Sequence, residues 1–324
     1  MSKAIVVEAP GPAAVLQWRD VAVGKPKSGE ALLRHTAVGL NYIDVYQRSG
    51  LYKLPLPFIP GTEGAGVVEA VGRGVTNVKP GDRVAYASGP VGAYAEYRVF
   101  PARWLVKLPR GIGDVQGAAM MLQGMTAQYL LRQVYQVKAG DFVLIHAAAG
   151  GVGLIACQWA KHLGATVIGT VGSDAKARLA AAHGCDHPIV YTRQNFVERV
   201  KRITKGAGVP VVYDSVGKDT FDGSLDCLRP RGTMVSFGNA SGPIPPFNVL
   251  TLSAKGSLYL TRPTLFHFID TQEGLKRTAG ELFRVVRSGA VRIEVNQTYA
   301  LKDAAAAHRD LEARKTTGST VLLV

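Results

Sequence analysis

The stretch DFVLIHAAAGGVGLIACQWAKHLG, from Asp141 to Gly164, most restricts the folds open to this chain. An apolar run, FVLI, stops at a cluster of small residues, and a helix-forming apolar run begins directly after it and ends at glycine. A turn this tight between strand and helix gathers the free N–H groups and the positive dipole of the first helical turn at one point, which suits a pyrophosphate. The usual fingerprint has three small positions. Ala148 takes the first here, Gly150 the second, where backbone must approach the phosphates, and Gly153 the third, where helix packs on strand. Gly151 and Val152 lie between the second and third of these. A ligand-free turn is the bland alternative, and the surroundings argue against it. The strands TVIGTV, PIVY, VPVVYDSVG, GTMVSFGNA and GSLYLTR are interleaved with the helical SDAKARLAAAHG and NFVERVKRITKG. Apolar strands with little in–out alternation, separated by helices, predict a parallel sheet covered on both faces. The run from Phe142 to Ala160 has the length of a membrane span, but its central glycines, His146 and Gln158 break it.

The first ~110 residues read differently, in the manner of a β-rich domain. Short apolar runs (AIVV, ALLRHTAVGL, GVVEAVG, DRVAYAS, AEYRVF) are punctuated by GKPKSGE and VKPGDR, where Pro presets φ and Gly accepts positive φ. After Thr264 come two amphipathic helices and a terminal strand, STVLLV. A length of 324 residues suits two domains. Cys157, Cys185 and Cys227 are odd in number and show no CxxC spacing, so neither a disulfide framework nor a zinc cluster is indicated, and a reducing, cytoplasmic setting is expected. Lys and Arg exceed Asp and Glu by 38 to 24. The basic residues are scattered, with no arginine-rich tract or RNA-binding motif, so the excess reads as a solvated surface and argues against a nucleic-acid partner.

Which dinucleotide is expected follows from the second strand, which ends at Val171. A carboxylate at that tip, ~20 residues beyond the glycines, would bind a ribose 2′-hydroxyl. The tip instead reads Gly172, Ser173, Asp174, with Lys176 close by and Tyr191 ending the next strand. Asp174 is read as the N-cap of the helix DAKARLAAAHG. The cationic remainder favours a 2′-phosphate, and so NADPH.

With that fingerprint behind a β-rich domain, the strings NYIDVYQRSGLY, PGTEGAGVVEAVG, HAAAGGVGLIACQWAK, VVYDSVG, SFGNASG and GSLYLTRP resemble, in order and from end to end, the zinc-independent NADPH:quinone oxidoreductases. These form the zeta-crystallin-like branch of the medium-chain dehydrogenases/reductases. The resemblance implies an α/β fold: a GroES-like β-rich catalytic domain over 1–123 and 265–324, with a Rossmann doubly wound parallel-sheet domain over 124–264 inserted. It also implies homodimers paired through the Rossmann sheet edge, with GSLYLT as the edge strand. Zinc-bearing relatives place Cys, His and Cys where this chain has Asn41, Thr62 and Leu122 or a near neighbour, and no metal site is expected. Without that Lewis acid, alcohol oxidation is disfavoured. A quinone, already electrophilic and planar, needs only positioning, a dry slot and a proton.

NYIDVYQRSGLY supplies neutral hydrogen-bonding groups for such a slot: Tyr46 and Tyr52 against the quinone, and Asn41 to orient substrate or nicotinamide. Asp44 joins the cofactor set by resemblance, with organisation of its own loop as the alternative. The resemblance carries over further cofactor positions onto Thr126 and Tyr129, onto Gly150, Gly151, Val152 and Gly153, and onto Gly172, Ser173, Lys176 and Tyr191. Ser215, Phe237, Gly238, Arg262 and Arg314 complete them, the arginines having surface ion pairs as their alternative. His146 reads as structural, and Glu63 as a hydrogen-bonding or ion-pairing residue beneath the site. Reduction of an activated C=C bond in an enone or alkenal is the competing activity, since fold and cofactor would be the same. A non-catalytic RNA-binding or crystallin-like role is the reading from another class.

Overall fold

The computed structural model describes residues 2–324, which fall into two units. The first comprises the residues up to Met125 together with Ile269–Phe283 and Ile293–Val324. Along the chain it holds β1 (Ser2–Val6), β2 (Gln17–Val21), β3 (Glu30–Leu40), α1 (Tyr42–Arg48), β4 (Glu63–Val71), β5 (Arg83–Ala87), β6 (Tyr97–Pro101), β7 (Val106–Lys107) and most of α2 (Asp114–Tyr129). The second unit, Thr126–Phe268 with Arg284–Arg292, begins inside that helix.

Strand β3 forms because its residues alternate: Ala31, Leu33, His35 and Ala37 turn inward while their neighbours are half-exposed. It is the backbone of a seven-stranded sheet ordered β14–β15–β3–β4–β5–β7, with β6 also on β3, where β14 (Val295–Ala300) and β15 (Ser319–Leu323) return from the far end of the sequence. Leu322 stands opposite Val38, so the last strand completes a sheet begun near residue 30. Pairing is antiparallel except between β14 and β15. Helix α10 (Ala304–Glu312) precedes β15.

The second unit alternates strand and helix: β8 (Phe142–Ile145), α3 (Gly151–His162), β9 (Thr166–Val171), α4 (Asp174–Ala182), β10 (His187–Val190), α5 (Phe196–Ile203), β11 (Val209–Asp214), α6 (Phe221–Asp226), β12 (Leu228–Ser236), α7 (Leu250–Ala254), β13 (Tyr259–Thr261) and α8 (Phe266–Ile269). Its six strands are all parallel, in the order β10–β9–β8–β11–β12–β13. Every residue of β11 is buried, as a strand covered on both faces requires. Leu144, Ile168, Ile189, Val212 and Met234 form the core, each contributing about 1.5–3 kcal/mol by burial. Strand order reverses between β8 and β11, and ligands of such sheets bind at the carboxyl ends beside that reversal. The end of α9 (Gln272–Arg287) and the residues to Arg292 also belong to this unit, outside the continuous span expected. Gln158 on α3 holds them, donating to the Arg292 carbonyl (3.0 Å) and accepting from its N–H (2.9 Å).

Candidate active site

In the β-rich unit the predicted substrate residues lie on and beside α1. Asn41 caps that helix in a reciprocal box with Asp44, whose Oδ2 accepts from the Asn41 N–H at 2.9 Å. Tyr46 is buried between two rings, Tyr42 at 5.9 Å and Tyr52 at 5.2 Å edge-on. Half-buried Tyr52 is fastened by its N–H to the Tyr46 carbonyl (3.0 Å). Buried Arg48 forks onto Glu312 at 2.9 and 2.7 Å, and the Tyr42 hydroxyl donates to the Leu311 carbonyl (3.3 Å), so the end of α10 is tied to α1. Arg314 stands two residues beyond Glu312, at a left-handed φ of 58°.

Beneath α1 lie two buried polar sets. Asn41 Nδ2 donates to Glu63 Oε2 (2.7 Å), the Leu122 N–H donates to Glu63 Oε1 (2.7 Å), and Gln123 Nε2 donates to Asn41 Oδ1 (3.0 Å). The Ser319 hydroxyl reaches Gln123 Oε1 at 2.7 Å. With Asn41 Nδ2 spent on Glu63, Asn41 Oδ1 is left to accept from Gln123 Nε2, and Gln123 Oε1 to accept from Ser319, so a single orientation runs through the amide chain. Burial pushes the Glu63 carboxyl up to about 8, against its hydrogen bonds from Asn41 and Leu122. In the second set, the Tyr94 hydroxyl donates to Asp44 Oδ2 (3.1 Å) and therefore accepts from His308 Nε2 (3.0 Å). Burial raises Asp44 to about 7 and lowers His308 to about 3, which keeps the imidazole neutral. Asp44 is wholly buried and organises the start of α1.

In the parallel-sheet unit, β8 runs into the glycine turn at the reversal of strand order. Helix α3 starts at Gly150 with no side-chain cap, and its first intrahelical bond is Leu154 N–H to Gly150 carbonyl (2.8 Å). The amides of Gly151, Val152 and Gly153 thus form an uncapped first turn suited to an anion. A Cβ on Gly153 would be driven into the Ala147 carbonyl oxygen and stand 2.8 Å from Ala148 Cα. This cradle fits a dinucleotide pyrophosphate. Behind it, the Ser224 hydroxyl donates to Asp214 Oδ2 (3.0 Å), so Ser224 must accept from His146 Nε2–H (2.9 Å), leaving Nδ1 to accept from Thr170 (2.8 Å). All four side chains are buried, and the set joins the ends of β8, β9 and β11 to α6.

Several of the remaining positions follow the carboxyl ends of the parallel strands. Gly172 and Ser173 follow β9, and the Ser173 hydroxyl accepts from the Lys176 N–H at 3.3 Å. Ser173, extended at φ −158°, is therefore the N-cap of α4, correcting the expectation for Asp174, which is the first helical residue and is gripped by Arg193. Asp214 Oδ1 accepts from Val216 and Gly217 (2.7 and 3.0 Å), which shapes the turn carrying Ser215. Gly238 abuts that turn: a Cβ there would lie 2.9 Å from Ser215 Cα. Arg262, just past β13, donates to the Ser236 hydroxyl (3.1 Å) and the Gly238 carbonyl (3.0 Å), and the N–H of Phe237 bonds to Asp214 (2.8 Å). Tyr129, buried at the end of α2, stacks on Phe268 at 4.5 Å and 8°, with Thr126 buried one turn earlier.

A family model described as an alcohol dehydrogenase GroES-like domain matches residues 27–110, and one described as a zinc-binding dehydrogenase matches residues 151–275. The quinone oxidoreductase of Pseudomonas aeruginosa is 56% identical over 324 residues, covering 100% of both chains. The chain belongs to the quinone oxidoreductase family. The family sits within the medium-chain dehydrogenases/reductases, and the two units are its GroES-like and Rossmann domains. The crystal structure of Escherichia coli quinone oxidoreductase complexed with NADPH superposes with a TM-score of 0.98 at 48% identity, covering 99% of this chain and 100% of that one. A 2-haloacrylate reductase from a Burkholderia species is 49% identical over 314 residues, 94% of each chain.

As a quinone oxidoreductase family member, the chain carries neither Cys nor His at Asn41 and Thr62. Among the described residues, no group of three or more His, Cys, Asp or Glu is placed to hold a metal ion. No described helix is long and apolar enough to cross a membrane. Three residues of these side-chain networks escaped sequence reasoning. Gln123 and His308 have partners 82 and 214 residues away, which no local pattern reveals. Arg193 lies two residues past a predicted position, in a charged turn that reads as plain surface.

Proposed function

We propose that this chain is an NADPH-dependent quinone reductase that carries out hydride (or electron) transfer without a metal. The observation that carries this reading is the uncapped glycine turn at the start of α3, set at the strand-order reversal of a sheet whose whole chain matches quinone oxidoreductases. NADPH, when bound, supplies the hydride. Gly150, Gly151, Val152 and Gly153 hold its pyrophosphate by backbone N–H groups, and Gly172, Ser173, Lys176 and Tyr191 take the 2′-phosphoribose. Thr126, Tyr129, Ser215, Phe237, Gly238, Arg262 and Arg314 serve the remaining length of the cofactor. The arginines supply charge, and the turn built on Asp214 supplies backbone groups.

On the β-rich unit, Tyr52 offers a flat face and a hydroxyl to the quinone, and Tyr46 holds that ring edge-on. Asn41, its amide locked by Glu63 and Gln123, orients the substrate or the nicotinamide. Hydride addition leaves an oxyanion on the former quinone, and a neutral phenol beside it can donate a hydrogen bond without bringing a charge into a dry slot. The three cysteines are free and buried, which suits a reducing compartment, and we place the protein in the cytoplasm. A homodimer through the free edge at β13 completes the proposal.

The 2-haloacrylate reductase relative favours a second reading, reduction of an activated C=C bond by the same cofactor. Steady-state NADPH oxidation separates the two. Faster turnover of 1,4-benzoquinone and 9,10-phenanthrenequinone than of alkenals or haloacrylate supports quinone reduction, and the reverse order replaces it.

A further inference from the structure

Strands β9 and β10 end side by side, with Val171 opposite Val190. The turns beyond them touch. Tyr191 N–H donates to the Val171 carbonyl (3.1 Å), the Thr192 hydroxyl to the Gly172 carbonyl (3.4 Å), and a Cβ on Gly172 would stand 3.0 Å from the Tyr191 hydroxyl. Across this seam Arg193 forks onto Asp174, with Nη1 2.6 Å from Oδ2 and Nη2 on Oδ1. Both side chains are more than half exposed, and an ion pair so exposed adds at most ~1 kcal/mol to stability. Stability therefore gives little reason for the pair, whereas its position does. It stands at the tip of the second strand of the fingerprint, where a carboxylate accepts from a ribose 2′-hydroxyl and repels a 2′-phosphate.

We infer that Arg193 sets the preference for a 2′-phosphorylated cofactor by clamping both oxygens of Asp174. A bidentate guanidinium occupies the acceptor sites a 2′-hydroxyl would need and cancels the charge that would repel a phosphate. Arg178 acts on Asp174 as well, and Lys176 stands on the first turn of α4 beside it. This rests on the NADPH reading above. It assigns Arg193, which lies outside the set expected to touch the cofactor, as the residue that makes Asp174 compatible with it.

The test uses the whole protein as wild type, Arg193→Ala, Asp174→Asn and the double variant, titrated with NADPH and with NADH by nicotinamide fluorescence. Arg193→Ala is expected to weaken NADPH binding about tenfold, the scale of one uncompensated charge at a few ångströms near a surface. NADH binding should hold or tighten. The double variant should regain most of the NADPH affinity, because the offending carboxylate is gone. The Arg193→Ala deficit should also shrink as salt rises from about 0.05 to about 0.5 M. An unchanged NADPH-to-NADH ratio in Arg193→Ala, with a wild type that prefers NADPH, overturns the inference alone. A double variant as weak as Arg193→Ala also overturns it, making Arg193 a plain phosphate ligand. A wild type that binds both cofactors alike overturns the NADPH reading, and the inference with it.

Discussion

Glu63 shows how much one buried carboxyl can decide. It takes the Asn41 amide and the Leu122 N–H, and through them dictates which way the Asn41 and Gln123 amides face. Glu63 titrates near 8 and Asp44 near 7 in the folded chain, against ordinary values of 4.5 and 3.8. Between those limits the folded chain holds protons that the unfolded chain has released, so stability falls as pH rises through the window and levels off above about 8. Glu63→Gln removes one of the two protons from that balance. Urea unfolding at pH 5 and pH 8 should show wild type losing on the order of 3.5 kcal/mol more than the variant between the two. Parallel pH–stability curves would exclude the assignment. The sequence made Glu63 legible as a hydrogen-bonding residue under the site, because a carboxylate in PGTEGAG has little other use. Gln123, which holds Asn41 from the other side, was not legible, nor was the Asp44–Tyr94–His308 set. Such contacts are made by the fold across long sequence separations, and an isolated His or Gln announces nothing.

Elements were more legible than contacts, because periodicity and punctuation are local. FVLI, TVIGTV and the glycine turn announced β8, β9 and the start of α3, and the sheet they build is the parallel one expected. Capping was less legible. Ser173 and Asp174 are both good caps, and only the extended backbone of Ser173 decides between them. The same division applies to glycines, which look alike in sequence and differ in surroundings. Gly153 faces the Ala147 carbonyl, whereas Gly280 in the middle of α9 has nothing within 4 Å of an added Cβ. Gly153→Ala should therefore push α3 off β8, cost about 2 kcal/mol or more, and lower NADPH affinity at least tenfold. Gly280→Ala should instead stabilise by about 0.5–1 kcal/mol through helix propensity. Urea denaturation of both, with a cofactor titration of the first, checks the pair. Equal effects would mean that the glycine turn is not the constrained feature it is taken to be.

For the whole molecule, the open question raised by the fold is what covers the last strand of the parallel sheet. Strand β13 pairs with β12 on one side and has no strand on the other among the described residues. Tyr259 on it is 61% exposed, and Val249 and Leu250 at the start of α7 are 67% and 68% exposed. A sheet edge left with unpaired backbone groups and bare apolar side chains is a template for another chain. Pairing β13 with its counterpart in a second copy would continue the sheet across a two-fold axis and bury these side chains against their equivalents. An edge strand of three residues is too small to hold such a pair alone, since stable interfaces bury about 1,200–2,000 Å². The exposed residues of α7 must therefore contribute. Sedimentation at micromolar concentration should give twice the chain mass for wild type. Leu250→Lys/Tyr259→Lys should sediment as a monomer, because it places like charges face to face across the axis at positions that touch no core. Both side chains are already solvated in the single chain, so the variant's unfolding midpoint at high dilution should match that of wild type. A monomeric wild type, or a variant that still pairs, would move the interface off this edge and leave β13 needing another cover.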